Sequence, residues 1–205
     1  MSLPQLLRRL RHGRPIIVVS GLPRSGTSMM MRMLEAGGLP LLTDQLRAAD
    51  ESNPHGYFEF EQVKQLDKPG ANTSWLATAR GRAVKIVSLL LTWLPEIYDY
   101  RVVLMQRDVA EVIASQQKML AARGESTDVR EMERMGSVYA EHLEKVLRFL
   151  GSRGCFTTLR VDYRSVIDHP EDEARRVARF IGERLDIGAM AGAVDSRLYR
   201  NRART

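Results

Sequence analysis

From Gly21 to Ser28 the chain reads Gly-Leu-Pro-Arg-Ser-Gly-Thr-Ser: two glycines with four residues between them, an arginine among those four and two hydroxyls behind. Gly21 permits a sharp turn and Gly26 lets an anion approach the main chain. Arg24 adds positive charge, and Ser25, Thr27 and Ser28 add hydroxyl donors. The β-branched run Ile16-Ile17-Val18-Val19 before the first glycine predicts a buried strand, and Met29 to Ala36 predicts a helix. Amides at such a helix start have no intrahelical partner, and the helix dipole adds about half a positive charge there. The stretch is a seat for a phosphate-like anion.

Glycine, four residues, glycine is also the spacing of the nucleotide-binding P-loop, but Thr27 stands where that motif has its lysine. A phosphoryl transferase uses the lysine on the β and γ phosphates, and here the nearby cation is Arg24, so the spacing points away from a triphosphate. A second candidate anion site follows. Arg107 ends a predicted strand at Arg101 to Gln106, and Ser115 lies eight residues on, sharing a helix stripe with Asp108 and Glu111. Their backbone separation is about 12 Å, which a long arginine and an intervening phosphate can bridge. Two anion sites on neighbouring strand-to-helix turns describe a nucleotide phosphorylated at both ends.

The elements that must hold these residues alternate. Strands are predicted at Ile16 to Ser20, Ala83 to Val87, Arg101 to Gln106 and Phe156 to Val161. Helices are predicted at Met29 to Ala36, Ser88 to Leu94, Val129 to Leu150 and Glu171 to Ile181, and Asp108 caps a further helix with Val109, Val112, Ile113, Met119 and Leu120 on its apolar face. A short amphipathic helix at residues 3–11 should pack its leucines against the body. The fold class is therefore α/β: a three-layer sandwich with a parallel sheet, of P-loop nucleotide-binding type, with ligands at the carboxyl ends of the strands.

The 205 residues, 44% hydrophobic, suit one domain spanning 1–205, with 196–205 as a basic tail. A net charge of +6 favours an anionic partner. Aromatics at 6% are not interleaved with the arginines, which argues against a stacking platform for nucleic acid. No apolar run reaches membrane-spanning length, no signal peptide is visible, and Cys155 stands alone, so the expected location is cytoplasmic. The irregular stretch from Leu41 to Asp67 carries Asp44, Asp50, Glu51, His55, Tyr57, Glu59 and Glu61 within reach of the anion seat.

The Gly21 to Ser28 loop, with Arg107 and Ser115 in RDVAEVIAS, resembles the two signature loops of the PAPS-dependent sulfotransferases. The similarity runs over roughly residues 14–185 and is nearest to a bacterial branch with an NPxGYFE segment, here Asn53 to Glu59. The resemblance implies 3′-phosphoadenosine 5′-phosphosulfate (PAPS) as donor and 3′,5′-adenosine bisphosphate as product. It places Arg24, Ser25, Gly26, Thr27 and Ser28 on the 5′-phosphosulfate, and Arg107 and Ser115 on the 3′-phosphate. No metal is implied, and the acceptor is a hydroxyl or amine of a small molecule or glycan.

The acceptor must lose a proton, which calls for a base. The cytosolic branch of that family uses the histidine of a Lys-Thr-His motif; the matching stretch here is Lys85-Ile86-Val87, with valine in the histidine's place. Other branches carry an acidic residue about twenty positions beyond the loop cation, where Asp44 falls; Glu59 competes with it, and His55 ranks third. Lys85 either touches the transferring sulfuryl group or forms an ion pair within its strand. The glycine-rich nucleotide loop near the C-terminus of the cytosolic branch is missing, and Arg197, Arg200 and Arg202 are candidates to replace it. Two other readings stay open: a kinase-like phosphoryl transferase using ATP and magnesium, with Asp162 as metal ligand, and a noncatalytic binder of anions or nucleic acid.

Overall fold

The computed structural model describes residues 3–44, 56–122, 124 and 129–195. Its framework is a sheet of four strands, β1 (Ile16–Gly21), β2 (Ala83–Lys85), β3 (Tyr100–Gln106) and β4 (Phe156–Asp162), in the order β2-β1-β3-β4 with every pairing parallel. Helices α1 (Leu3–His12), α2 (Thr27–Ala36), α3 (Val109–Ala122), α4 (Val129–Ser152), α5 (Tyr163–Asp168), α6 (Pro170–Ile181) and α7 (Ile187–Gly192) surround it, with 3-10 turns at Glu61–Gln65, Ser74–Ala77 and Ser88–Trp93.

Every residue of β1 is buried, as a strand covered on both faces requires. Alternate side chains feed different cores. Ile16 and Val18 join Trp75, Leu91, Tyr100 and Phe156 with Val146 and Leu150 of α4, while Ile17 and Val19 join Met30, Met31, Met33 and Leu34 of α2, Val177 and Ile181 of α6 and Met190 of α7. The expected three-layer arrangement is the one observed.

Sheet order decides where a ligand sits. The chain leaves β1 for β2 on one side and reaches β3 on the other, so the connections diverge between β1 and β3 and leave a crevice at their carboxyl ends. Gly21 pairs with Met105 there. The Gly21 turn and Arg107 are thereby set side by side although 86 positions separate them in sequence.

Helix α1 forms where its period places it, but it faces the other way. Leu6, Leu7 and Leu10 are 41%, 49% and 75% exposed, whereas Arg8 turns inward, donating to Asp99 Oδ1 at 2.7 Å and to the Gly154 carbonyl at 2.6 Å. Asp99, nearly buried just before β3, is the reason: an ionised carboxylate there needs a cation more than the leucines need cover. Two short helices lie outside the sequence expectation. Asp162 caps α5 by accepting from Ser165 N–H at 2.9 Å, and Asp186 caps α7 by accepting from Ala189 N–H at 2.9 Å. Ser88 to Leu94, expected as a helix, is a 3-10 turn with Leu89 and Trp93 exposed. Among the described residues no helix is long and apolar enough to cross a membrane.

His142 of α4 meets the buried Ser88 hydroxyl at 2.9 Å, and burial holds the imidazole below its ordinary pKa, with Lys145 adding to the effect. The unfolded chain then binds the proton first as pH falls. Stability is expected to drop as pH decreases through the ordinary histidine range. In thermal melts, His142→Gln should flatten that dependence; an unchanged slope would place the sensitive group elsewhere.

Candidate functional site

The Gly21 to Ser28 loop is built by close approaches. A Cβ on Gly21 would lie 2.4 Å from Ser25 Oγ and 2.6 Å from the Met105 carbonyl oxygen, so only glycine fits. Ser25 closes the turn from within: its hydroxyl and its amide both donate to the Leu22 carbonyl, at 2.7 and 3.2 Å. Gly26 precedes α2 at φ 100° with no side chain capping the helix, and the first intrahelical bond runs from Met30 N–H to the Gly26 carbonyl at 3.1 Å. The helix start therefore keeps the electropositive amide cluster that suits an anion.

Arg24 sits at φ 67°, a left-handed conformation that costs a non-glycine residue about 1–3 kcal/mol. Arg107, in the turn after β3, and Ser115, on α3, hold it. Arg107 Nη1 donates to the Arg24 carbonyl at 3.2 Å, and Arg24 Nε donates to Ser115 Oγ at 3.1 Å. Arg107 in turn donates from Nε to Glu111 Oε2 at 3.0 Å, with both side chains 7% exposed, and its guanidinium lies 4.4 Å from the centre of the Tyr163 ring. Burial raises the Tyr163 pKa, so the ring faces Arg107 as a neutral phenol.

On the other flank, β2 pairs Lys85 with Val19 and sends its side chain toward α2. Lys85 Nζ donates to the Tyr57 carbonyl and lies 3.5 Å from Ser28 Oγ and 3.9 Å from Glu59 Oε1. Glu59 Oε2 is 3.2 Å from Lys64, whose pKa is raised by hydrogen bonds to Glu61 and Glu59. Asp44 points elsewhere in the same segment: its amide donates to the Glu59 carbonyl at 3.1 Å, and its carboxylate accepts from Glu61 N–H. A carboxylate, an ammonium and a hydroxyl thus meet beside the helix start, opposite the Arg107 flank.

A sequence profile described as "Sulfotransferase family" matches residues 55–186, more than half of the chain. The chain belongs to the sulfotransferase family. This family member also resembles two solved sulfotransferases in fold. The sulfotransferase domain of the Synechococcus olefin synthase is 17% identical, with 92% of this chain and 81% of that one covered and a TM-score of 0.55. A sulfotransferase from Mycobacterium tuberculosis is 18% identical, with 93% and 75% covered and a TM-score of 0.60. No curated relative matches the sequence. The matched stretch includes Lys85, Arg107 and Ser115 and begins after the Gly21 to Ser28 loop.

Of the residues singled out from the sequence, the sulfotransferase fold brings Arg24, Arg107 and Ser115 into one bonded group, and Ser28, Glu59 and Lys85 into another. Ser25 is turned toward its own loop, Asp44 toward Glu61, and Asp162 toward α5. The Asp108, Glu111 and Ser115 stripe is not a solvated one, since Glu111 and Ser115 are 7% and 5% exposed. His55, Arg197, Arg200 and Arg202 lie outside the described residues. Tyr163 and Glu111 were not anticipated as site residues. Glu111 is signalled only by standing four positions after Arg107, one helical turn on, and Tyr163 only by following β4 at the ligand edge.

Gly26 supplies the sharpest stability test. A Cβ there would meet Tyr163 Cδ2 at 2.4 Å, whereas one on Gly38, also at positive φ, has nothing within 4 Å. By chemical denaturation Gly26→Ala should cost at least about 2 kcal/mol more than Gly38→Ala, given strain of about 1–2 kcal/mol common to both. Equal losses would show that Tyr163 does not pack over the loop.

Proposed function

We propose that this protein transfers a sulfuryl group from 3′-phosphoadenosine 5′-phosphosulfate to a hydroxyl or amine of a small-molecule or glycan acceptor, as one domain spanning 1–205. The observation that carries the reading is the joining of Arg24 to both Ser115 and Arg107. A cation at a helix N-terminus and an arginine–serine pair on the neighbouring turn form one continuous cradle, suited to a nucleotide with an anionic group at each end. Family membership supports sulfuryl transfer in general.

The residues present fit that donor. The uncapped start of α2, with Gly26, Thr27 and Ser28, would hold the 5′-phosphosulfate, while Arg107 and Ser115 would hold the 3′-phosphate. When bound, the donor supplies a sulfuryl group activated by its bond to phosphate. Arg24 and the helix amides would stabilise the negative charge that grows on the departing phosphate oxygen, the atom that keeps the electron pair of the broken sulfur–oxygen bond. Lys85, 3.5 Å from Ser28 Oγ, would neutralise charge on the opposite side of the transferring group. The acceptor forms its bond to sulfur and gives its proton to a carboxylate.

Of the candidate bases, Glu59 suits the role better than Asp44, because it meets Lys85 at 3.9 Å whereas Asp44 accepts the Glu61 amide and shapes the segment. Turnover with labelled sulfate donor and a panel of hydroxylated acceptors tests this. Glu59→Gln should lower kcat by about 100-fold or more, the usual scale of general-base catalysis, while Asp44→Asn lowers activity through reduced stability. The reverse ranking would move the base to Asp44.

The two arginines divide differently between binding and chemistry. Arg24→Ala is expected to reduce kcat more than donor affinity, since its charge acts on the leaving phosphate. Arg107→Ala should chiefly raise the donor KM. Equal effects of both on affinity alone would contradict these roles.

A further inference from the structure

At the other end of the sheet, where β1 and β3 begin, a cavity of about 380 Å³ opens to solvent. Its polar lining is one-sided: the guanidiniums of Arg9, Arg14 and Arg101 share it with a single carboxylate, Glu183. Arg14 pairs with Glu183. Arg9 is only loosely matched, with Nε buried, without a hydrogen bond, and 3.7 Å from an Asp99 oxygen. Asp99 is already engaged by Arg8 at 2.7 Å.

Arg101 is the least compensated of the three. It stands near the start of β3, paired with Ile17 and Thr157, and its half-buried guanidinium makes no hydrogen bond or ion pair among the described residues. Burial lowers its pKa and neighbouring Arg9 lowers it further, and Glu183 and Asp99 offset these effects only in part. The backbone nevertheless makes room for it. Gly182, at φ +69° at the end of α6, would place a Cβ 2.6 Å from Arg101 Nη1, so a side chain there would collide with the guanidinium. The carboxyl end of α6 offers Arg101 a partial negative charge of about one half, which falls short of matching two closely spaced cations.

Three guanidiniums that converge on an open cavity and share one carboxylate form a binding site for an oxyanion, and paired planar N–H donors suit the tetrahedral dianions best. We infer that the cavity between Arg9, Arg14, Arg101 and Gly182 is a second anion site that takes a phosphate or sulfate group. It is separate from the Gly21 to Ser28 loop. Arg101 and Arg107 stand at opposite ends of one strand, about 20 Å apart at about 3.3 Å per residue, so a ligand at one end leaves the other accessible. The inference rests on the local charge imbalance and is independent of the donor assigned to the loop.

The test is calorimetric titration of inorganic phosphate into the full chain at constant ionic strength, with chloride as the control salt. Wild type and Arg24→Ala, which weakens the loop, should bind phosphate alike at this site, while Arg101→Met and Arg9→Gln should each lower its affinity at least tenfold. Without phosphate, Arg101→Met should melt no lower than wild type, since it removes a half-buried charge that neighbouring Arg9 opposes. Because the two substitutions lie on different elements, Arg9→Gln decides the matter if Arg101→Met fails to fold. Tighter binding of phenyl phosphate than of inorganic phosphate would identify a group carried on a larger molecule, and the opposite order a free ion; either supports the site. Phosphate affinity unchanged in both variants, or lost in Arg24→Ala alone, would overturn it.

Discussion

Arg24 is the point on which the site depends. A bulky residue is held in a left-handed conformation between two glycines, and it stays there because its carbonyl is engaged by Arg107 after β3 and its guanidinium by Ser115 on α3. Local strain of about 1–3 kcal/mol persists only where surrounding structure over-determines it. Here Arg107 is itself fixed by Glu111 on one side and by the face of Tyr163 on another, while Tyr163 fills the space beside Gly26. Loop and clamp thus form a closed circuit of contacts. Ser115 accepts from Arg24 and keeps its own O–H to donate, so a ligand engaging Ser115 is joined through that hydroxyl to Arg24 and the loop.

The sheet makes this circuit possible. A parallel pair puts the carboxyl ends of β1 and β3 at one edge, and the direct pairing of Gly21 with Met105 sets the loop beside Arg107. On the opposite side β2 stops at Lys85, in time for its ammonium to reach Ser28, Tyr57 and Glu59. The helix start between these flanks is electropositive on both sides, with a carboxylate at the margin. That polarity suits the proposed transfer, which calls for cations where charge develops and a proton acceptor beside the acceptor.

Much of this was legible in the sequence because it rests on local rules. A β-branched run, a glycine-bounded loop and an apolar period gave β1, the turn and α2, and the alternation of strands and helices predicted the layered parallel sheet. What escaped depends on pairings that no local pattern encodes. The face of α1 was misread because its amphipathic period assigns leucines to the core, whereas the nearly buried Asp99, some ninety positions away, draws Arg8 inward. Glu111 reads as one more acid on an exposed stripe, since nothing local shows that Arg107, its partner, is held by the Arg24 carbonyl and the Tyr163 ring from distant parts of the chain. Helices α5 and α7, six residues each, are too short to show a period and are marked chiefly by their aspartate caps.

The most direct test of the linked cradle compares 3′,5′-adenosine bisphosphate with adenosine 5′-monophosphate by calorimetry, in the wild type and in Ser115→Ala. The account predicts that the wild type prefers the bisphosphate by at least about tenfold, or about 1.4 kcal/mol, and that Ser115→Ala loses most of that preference. Equal affinity of the wild type for the two nucleotides, or a preference that survives loss of the Ser115 hydroxyl, would contradict it.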